Sequence, residues 1–258
     1  LPEHDLALLT DAALAAGKIA MRFWKKSPQV WDKDANAGPV TEADLAVNDM
    51  LAARLRAARP DYGWLSEESA DTTDRQAARR CFIIDPIDGT RSFIAGEDTF
   101  AHSLAVAEEG RVIAAAVYLP ALDRLYTAAS TCPALRDGQP IRASTCPAAE
   151  GATLLTTQHM LGADYWPGGV PQVKRSFRAS LAFRLCLVAE GRHDGMVTLR
   201  DAWEWDIAAG ALIVQQAGAL ATDRFGKPLR FNAERPLAPG VLAAGAALHA
   251  DLLGRLTG

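Results

Sequence analysis

The sequence predicts a mixed α/β protein of 258 residues, with an α+β lobe over 1–140 and an α/β lobe over 141–258. Three patterns predict it. Apolar positions in the first sixty residues recur at helical spacing. Short apolar runs separated by turns fill the stretch from 81 to 129. Beyond 150, strand-like and helix-like segments alternate. At 49% hydrophobic residues there is enough apolar material for a large core.

The first helix is read from Leu6, Leu9, Ala13, Ala16, Ala20 and Phe23, which share one face. A second starts at Thr41 and Asp44, which have the spacing of a capping box. It carries a stripe of Val47, Leu51, Leu55 and Ala58 and stops at Pro60. A short strand is expected in YGWLS. CFII, FAHSLAVA, RVIAAAVYLP and DRLYTAA read as neighbouring strands, with a hairpin at Gly110. The run Pro133 to Pro147 is turn-rich and marks the boundary between lobes. ATLLTT then reads as a strand, SLAFRLCLVAEG as a helix ended by Gly191, DGMVTL as a strand, and DIAAGALIVQQAG as a helix ended by Gly218.

A formal net charge of −4 gives no global basic field for nucleic acid or an anionic membrane. No apolar stretch has the length of a membrane span. The N-terminal LPEHDLALLT lacks the basic and apolar regions of a secretory signal. Cys81, Cys132, Cys146 and Cys186 have no paired spacing and read as reduced thiols, which points to the cytoplasm; a Cys132–Cys146 disulfide is the rival. The five histidines form no metal-binding spacing and read as structural.

The chemistry concentrates in CFIIDPIDGT. Phe82-Ile83-Ile84 fits a buried strand that ends at Asp85, because Pro86 lacks an N–H for the ladder. Gly89 permits close approach, and Thr90 opens a helix whose free amides suit a phosphate. Asp85, Asp88 and a phosphate would repel one another in a dry cleft. A divalent cation resolves the conflict, and an all-oxygen donor set suits Mg²⁺ better than zinc. A plain Asx turn with solvated acids is the other reading of this stretch alone. Two further acidic segments bear on the choice. Glu67 and Glu68 follow the short strand, where a solvated pair is the common outcome. Asp206 stands where a helix N-cap belongs.

DPIDGT and WDIAAG, in this order and separation, resemble the inositol monophosphatase superfamily of Mg²⁺-dependent phosphatases. SEES resembles that family's G-E-E segment, GPVTEAD its N-terminal V-T-x-x-D segment with Lys33 at a matching distance upstream, and CLVAEGRHD a segment of its second lobe. The resemblance implies a layered αβαβα sandwich, often a homodimer, and inhibition by Li⁺. It implies two or three Mg²⁺ held by Glu67, Asp85, Asp88, Asp206 and the Ile87 carbonyl. Glu67, Thr90 and Asp44 would serve catalysis, with Thr90 and Asp44 orienting or deprotonating an attacking water. The Gly89 and Thr90 amides would hold the phosphate, and Glu68 would stand behind the ligands. The chemistry implied is two-metal, in-line attack of water on a small phosphate ester, without a phosphoenzyme.

Substrate is read from the second lobe. SLAFRLCLVAEG and EWDIAAG resemble 3'(2'),5'-bisphosphate nucleotidases, with Arg184 as a contact to a second phosphate, or else an ordinary surface charge. Ala179 and Arg184 depart from the inositol-ring patch, so inositol monophosphate ranks second. DPIDGTRSF resembles histidinol phosphatases. Haloacid dehalogenase-like phosphatases share a D-x-D-G-T string, but Pro86 occupies the nucleophile's position here. A regulatory binding module on the same fold is the non-enzymatic alternative.

Overall fold

The computed structural model describes residues 1–32 and 38–257; Lys33 lies outside the described residues. The first half contains α1 (Pro2–Phe23), β1 (Val30–Asp32), β2 (Pro39–Thr41), α2 (Glu42–Ala58), β3 (Gly63–Ser66), β4 (Arg80–Asp88), α3 (Thr90–Ile94), β5 (Ala101–Glu108), β6 (Arg111–Leu119), β7 (Arg124–Ala129), β8 (Cys132–Arg136) and β9 (Gln139–Pro140). The second contains β10 (Thr153–Leu155), β11 (Lys174–Ser176), α4 (Leu181–Ala189), β12 (Gly195–Thr198), β13 (Ala202–Trp203), α5 (Glu204–Gln216), β14 (Leu220–Thr222), β15 (Leu237–Ala238), β16 (Val241–Ala244) and α6 (Ala246–Thr257).

Side-chain alternation along the strands sorts these elements into five layers. Strands β3 to β9 form a seven-stranded sheet in sequence order. In β4, Phe82 and Ile84 face α1 and α2, while Cys81 and Ile83 face α4 and α5. The second sheet has the order β11-β10-β12-β16-β14. Its Leu155, Met196, Val241 and Ala243 also face α4 and α5, whereas Leu154, Val197, Leu242 and Ala244 meet α6. Both faces of both sheets are therefore covered, which explains why the strands read as nearly unbroken apolar runs. Helix α5 lies in the middle layer and is buried from Ile207 to Val214, as expected of a helix apolar on all sides.

The capping box at Thr41 is present: its hydroxyl accepts the Ala43 and Asp44 amides, and the Asp44 carboxylate accepts the Thr41 amide. The hairpin at Gly110 is also present, with Glu109 and Gly110 both left-handed at φ 50° and 80°. All four cysteines are free.

Three expectations need correction. Strand β4 does not end at Asp85. It runs to Asp88, with a register shift between Asp85 and Asp88 that leaves Pro86 out of the ladder. The Pro86 carbonyl is instead met by Nδ1–H of buried His102, at 2.5 Å. Burial lowers the His102 pKa to about 4, so the ring is neutral. Second, the turn-rich run from Pro133 is not all linker, because β8 and β9 pair as the last two strands of the first sheet. Third, Asp206 is not the cap of α5. Trp203 holds that position, and Asp206 sits in the first turn. The helix begins early because buried Glu204 is anchored, its carboxylate accepting the Asn232 and Ala233 amides at 2.5 and 3.0 Å.

Helices α4 and α5 cross at Gly210, where an added Cβ would lie 2.6 Å from Leu185 Cβ. Gly210→Ala should therefore overpack the middle layer and cost about 1–3 kcal/mol despite the better helix propensity of alanine. Chemical denaturation checks this; a stabilised variant would show that the helices can separate at no cost.

Candidate active site

The site lies where the first sheet's polar strand ends meet the start of α5. Parallel pairing of β3 with β4 matches Ser66 to Ile84, and the Glu67 amide donates to the Ile84 carbonyl at 3.2 Å. That places Glu67 beside Asp85. The turn carrying Glu67 and Glu68 is held from α2: Ser66 Oγ donates to Asn48 Oδ1 at 2.7 Å, and Asn48 Nδ2 donates to Ser69 Oγ at 3.2 Å. On the other side of β4, Asp85 pairs with Ser103 of β5. Ser103 Oγ donates to the Trp205 carbonyl at 2.9 Å, so the residue before Asp206 is tied to the strand beside Asp85.

These connections bring Glu67, Asp85 and Asp206 together, with one carboxylate oxygen from each lying within 4.8 Å of the others. Asp85 is 1% exposed, and its Oδ1 has no hydrogen-bond partner among the described residues. Burial, followed by the charges of Glu67, Asp88, Asp206 and Asp44, pushes its pKa well above the usual carboxylate range. A buried acid with an orphaned oxygen, facing two more acids, requires a proton or a cation. The donor set is hard oxygen throughout, so the residues present fit a divalent ion of the Mg²⁺ type.

Asp88 is placed differently. It is not one of the three converging acids. Its Oδ2 accepts Ser180 Oγ at 2.6 Å and the Ala182 amide at 2.7 Å, at the start of α4. Burial raises its pKa to about 6, against the pull of those donors and of Arg184. Gly89 follows with φ 94°, a left-handed conformation that lets the chain turn from β4 into α3. Thr90 Oγ1 lies 3.1 Å from the Ile87 carbonyl and 3.3 Å from Asp44 Oδ1. The other oxygen of Asp44 accepts the Thr41 amide and hydroxyl at 2.9 and 2.5 Å. Asp44 thus closes the α2 cap with one oxygen and reaches Thr90 with the other.

Arg184 is not a surface charge. It is 7% exposed and lines a cavity of about 390 Å³ together with Asp88 and Asp206. Its Nη2 donates to the Ala179 carbonyl at 3.2 Å, and its Nε to the Arg178 carbonyl. Burial lowers its pKa to about 10, which keeps it cationic at neutral pH.

Several supporting residues gave little sequence signal. Ser180, Ser103, His102 and Asn48 look like ordinary polar residues in apolar segments. Arg75 lies in a polar stretch, yet it is 2% exposed. It donates to both oxygens of Asp71 at 2.7 and 2.9 Å, to Asn232 Oδ1 at 2.6 Å and to the Ala233 carbonyl at 2.8 Å. Ser180 alone was within reach of sequence reasoning, as an N-cap ahead of an apolar run.

The model of the inositol monophosphatase family matches residues 2–255. The chain belongs to the inositol monophosphatase family. It is thus a metal-dependent phosphatase that acts on small phosphate esters. An inositol-1-monophosphatase of Rhizobium meliloti (strain 1021) is 34% identical, over 87% of this chain and 88% of its own. A histidinol-phosphatase of Chlorobaculum parvum (strain DSM 263 / NCIMB 8327) is 30% identical over 96% and 95%, and a 3'(2'),5'-bisphosphate nucleotidase CysQ of Aggregatibacter actinomycetemcomitans 29% over 90% and 89%. Among solved structures, the Thermotoga maritima IMPase superposes with a TM-score of 0.84 at 28% identity, covering 100% of this chain and 97% of that one. The family's layered α/β architecture is the one described above. Among the described residues, no helix is long and apolar enough to cross a membrane.

Relief of charge at Asp85 predicts opposite responses with and without metal. In EDTA at pH 8, Asp85→Asn should unfold at a higher temperature than the parent, by about 2–8 °C. Added Mg²⁺ should stabilise the parent and not the variant. A thermal melt in which the variant is less stable in EDTA contradicts this account of the cluster.

Proposed function

We propose that this chain hydrolyses a small phosphate monoester with Mg²⁺ as the resident metal. A 3'-phosphoadenosine 5'-phosphate-type nucleotide ranks first as substrate and an inositol monophosphate second. The observation that carries the hydrolase reading is the convergence of Glu67, Asp85 and Asp206, with one Asp85 oxygen buried and unpartnered among the described residues. Glu67, Asp85, Asp88, Asp206 and the Ile87 carbonyl would hold two or three ions. When bound, these ions lower the pKa of water and neutralise charge at phosphorus.

The chain's own groups do the rest. Thr90 Oγ1, within reach of Asp44 Oδ1, orients a water and passes its proton towards Asp44. Because Thr41 holds the other oxygen of Asp44, the acceptor stays aimed at Thr90. The Gly89 and Thr90 amides, exposed by the left-handed turn, receive phosphate oxygens. Water attacks phosphorus in line, the ester P–O bond breaks, the leaving oxygen takes a proton from a solvent water, and the proton passed towards Asp44 returns to solvent. No side chain becomes phosphorylated.

The nucleotide ranking rests on the second-lobe segments and on the cavity beside Asp88 and Asp206. The similarity to a CysQ nucleotidase supports it, and the similarity to an inositol-1-monophosphatase supports the second choice. A histidinol-phosphatase reading is the alternative, favoured by the relative of that name. A homodimer belongs to the same proposal.

Phosphate release from adenosine 3',5'-bisphosphate, inositol 1-phosphate and histidinol phosphate, at equal concentration with Mg²⁺, tests the ranking. The nucleotide should give the highest kcat/KM; preference for inositol 1-phosphate overturns it. Asp206→Asn should lower kcat by at least about 100-fold while leaving the circular dichroism spectrum unchanged, since it removes a metal charge at a helix start. Retained turnover would remove Asp206 from the site.

A further inference from the structure

The cavity beside Asp88 and Asp206 has an aromatic rim. Phe177 lines it and is 43% exposed, so part of its ring is free for contact. The Arg184 guanidinium lies 4.4 Å from the centre of its ring. That guanidinium is in turn fixed by the Arg178 and Ala179 carbonyls, the two residues after Phe177. The Phe177 carbonyl also accepts Arg178 Nη1, at 2.6 Å. One buried cation therefore supports both the backbone that carries Phe177 and the ring itself. With two nitrogens committed to carbonyls, Arg184 is better placed to support this segment than to reach for a second phosphate.

The rest of the cavity agrees with such a use. Met160 and Val197 add apolar surface, Thr157 and Thr198 add hydroxyls, and the volume of about 390 Å³ is that of a small-ligand site. Ala179 contributes only a methyl group. Arg200, Asp201 and the two threonines could meet hydroxyl groups of either kind of alcohol, but the Phe177 ring itself offers a polyol no hydrogen bond, whereas a flat ring would gain stacking area and exclude water there.

We propose that Phe177, braced by Arg184, is a stacking surface for a planar heteroaromatic ring on the substrate's alcohol portion. The cavity accordingly selects phosphate esters of ring-bearing alcohols over those of saturated polyols. This rests on the phosphatase reading above and goes further by assigning selectivity to one side chain. Phe177 is the specificity residue, and Arg184 is a positioning residue that acts through it.

Two measurements test it. Saturation-transfer difference NMR on the metal-free protein, with adenosine, L-histidinol and myo-inositol as separate probes, reads ring contact without turnover. Enhancement at aromatic protons of adenosine or of histidinol, lost in Phe177→Ala and kept in Phe177→Trp, supports the proposal and tells a nucleoside from an imidazole. Enhancement that is absent, or unchanged in Phe177→Ala, overturns it. The second measurement compares kcat/KM for adenosine 2'-phosphate with that for β-glycerophosphate in the presence of Mg²⁺. Phe177→Ala should lower this ratio about tenfold, mainly through KM, and Phe177→Trp should restore it. Arg184→Lys, which keeps the charge and loses the planar fork, should lower the ratio in the same direction. An equal fall on both esters, or an unchanged ratio, overturns the proposal. If the NMR result holds while no ester is cleaved, the phosphatase reading fails and the ring site stands.

Discussion

Mutual repulsion among three clustered carboxylates, the middle one buried, governs this molecule. Asp85 is enclosed at the end of a central strand, where water cannot solvate it, and Glu67 and Asp206 are brought against it from elements far apart in the chain. At contact distance in a partly dry site, like charges cost several kcal/mol unless a counter-charge intervenes. The scaffold must supply enough packing to hold them there. The layered architecture does so by covering both faces of the first sheet, with Ala-rich α1 on one side and α5, buried from Ile207 to Val214, on the other. A metal site of this type is therefore a stability cost of the folded chain that binding of the ion offsets.

The same constraint accounts for the polar residues in otherwise apolar surroundings. Ser103, Asn48, Ser180 and His102 each bond to a segment bearing an acid or to the acid itself. None of them carries charge into the cluster. They fix the backbone so that the acids cannot turn away from one another into solvent. Asp44 serves two ends at once, completing the cap of α2 and facing Thr90.

Much of this was legible in the sequence because its signals are local. The capping box at Thr41, the Glu109-Gly110 hairpin and the alternation of β12 with α4 and α5 follow from spacing and turn chemistry. The convergence of three acids was legible only through the resemblance, since no periodicity relates position 67 to position 206. Two misreadings share a cause. Local rules end strand β4 at Asp85, ahead of Pro86, and cap α5 at Asp206, because they see only the residue at hand. A bulge, supported by His102 from the neighbouring strand, carries β4 past its proline. An anchor on Glu204, supplied by residues 232–233, starts α5 early. Long-range partners decided both, as they did for Arg184, whose burial beneath Phe177 depends on how residues 177–179 fold back.

The Arg75 clasp has an implication for how the cleft can move. Arg75 grips Asp71, just past the Glu67 turn, and residues 232–233; those two residues in turn hold Glu204, two places before Asp206. The walls on either side of the acids are thus fastened to each other, even though one belongs to the early chain and the other to the late chain. Parting these two walls would break the Arg75 hydrogen bonds to Asp71 or to residues 232–233, so the clasp resists that movement.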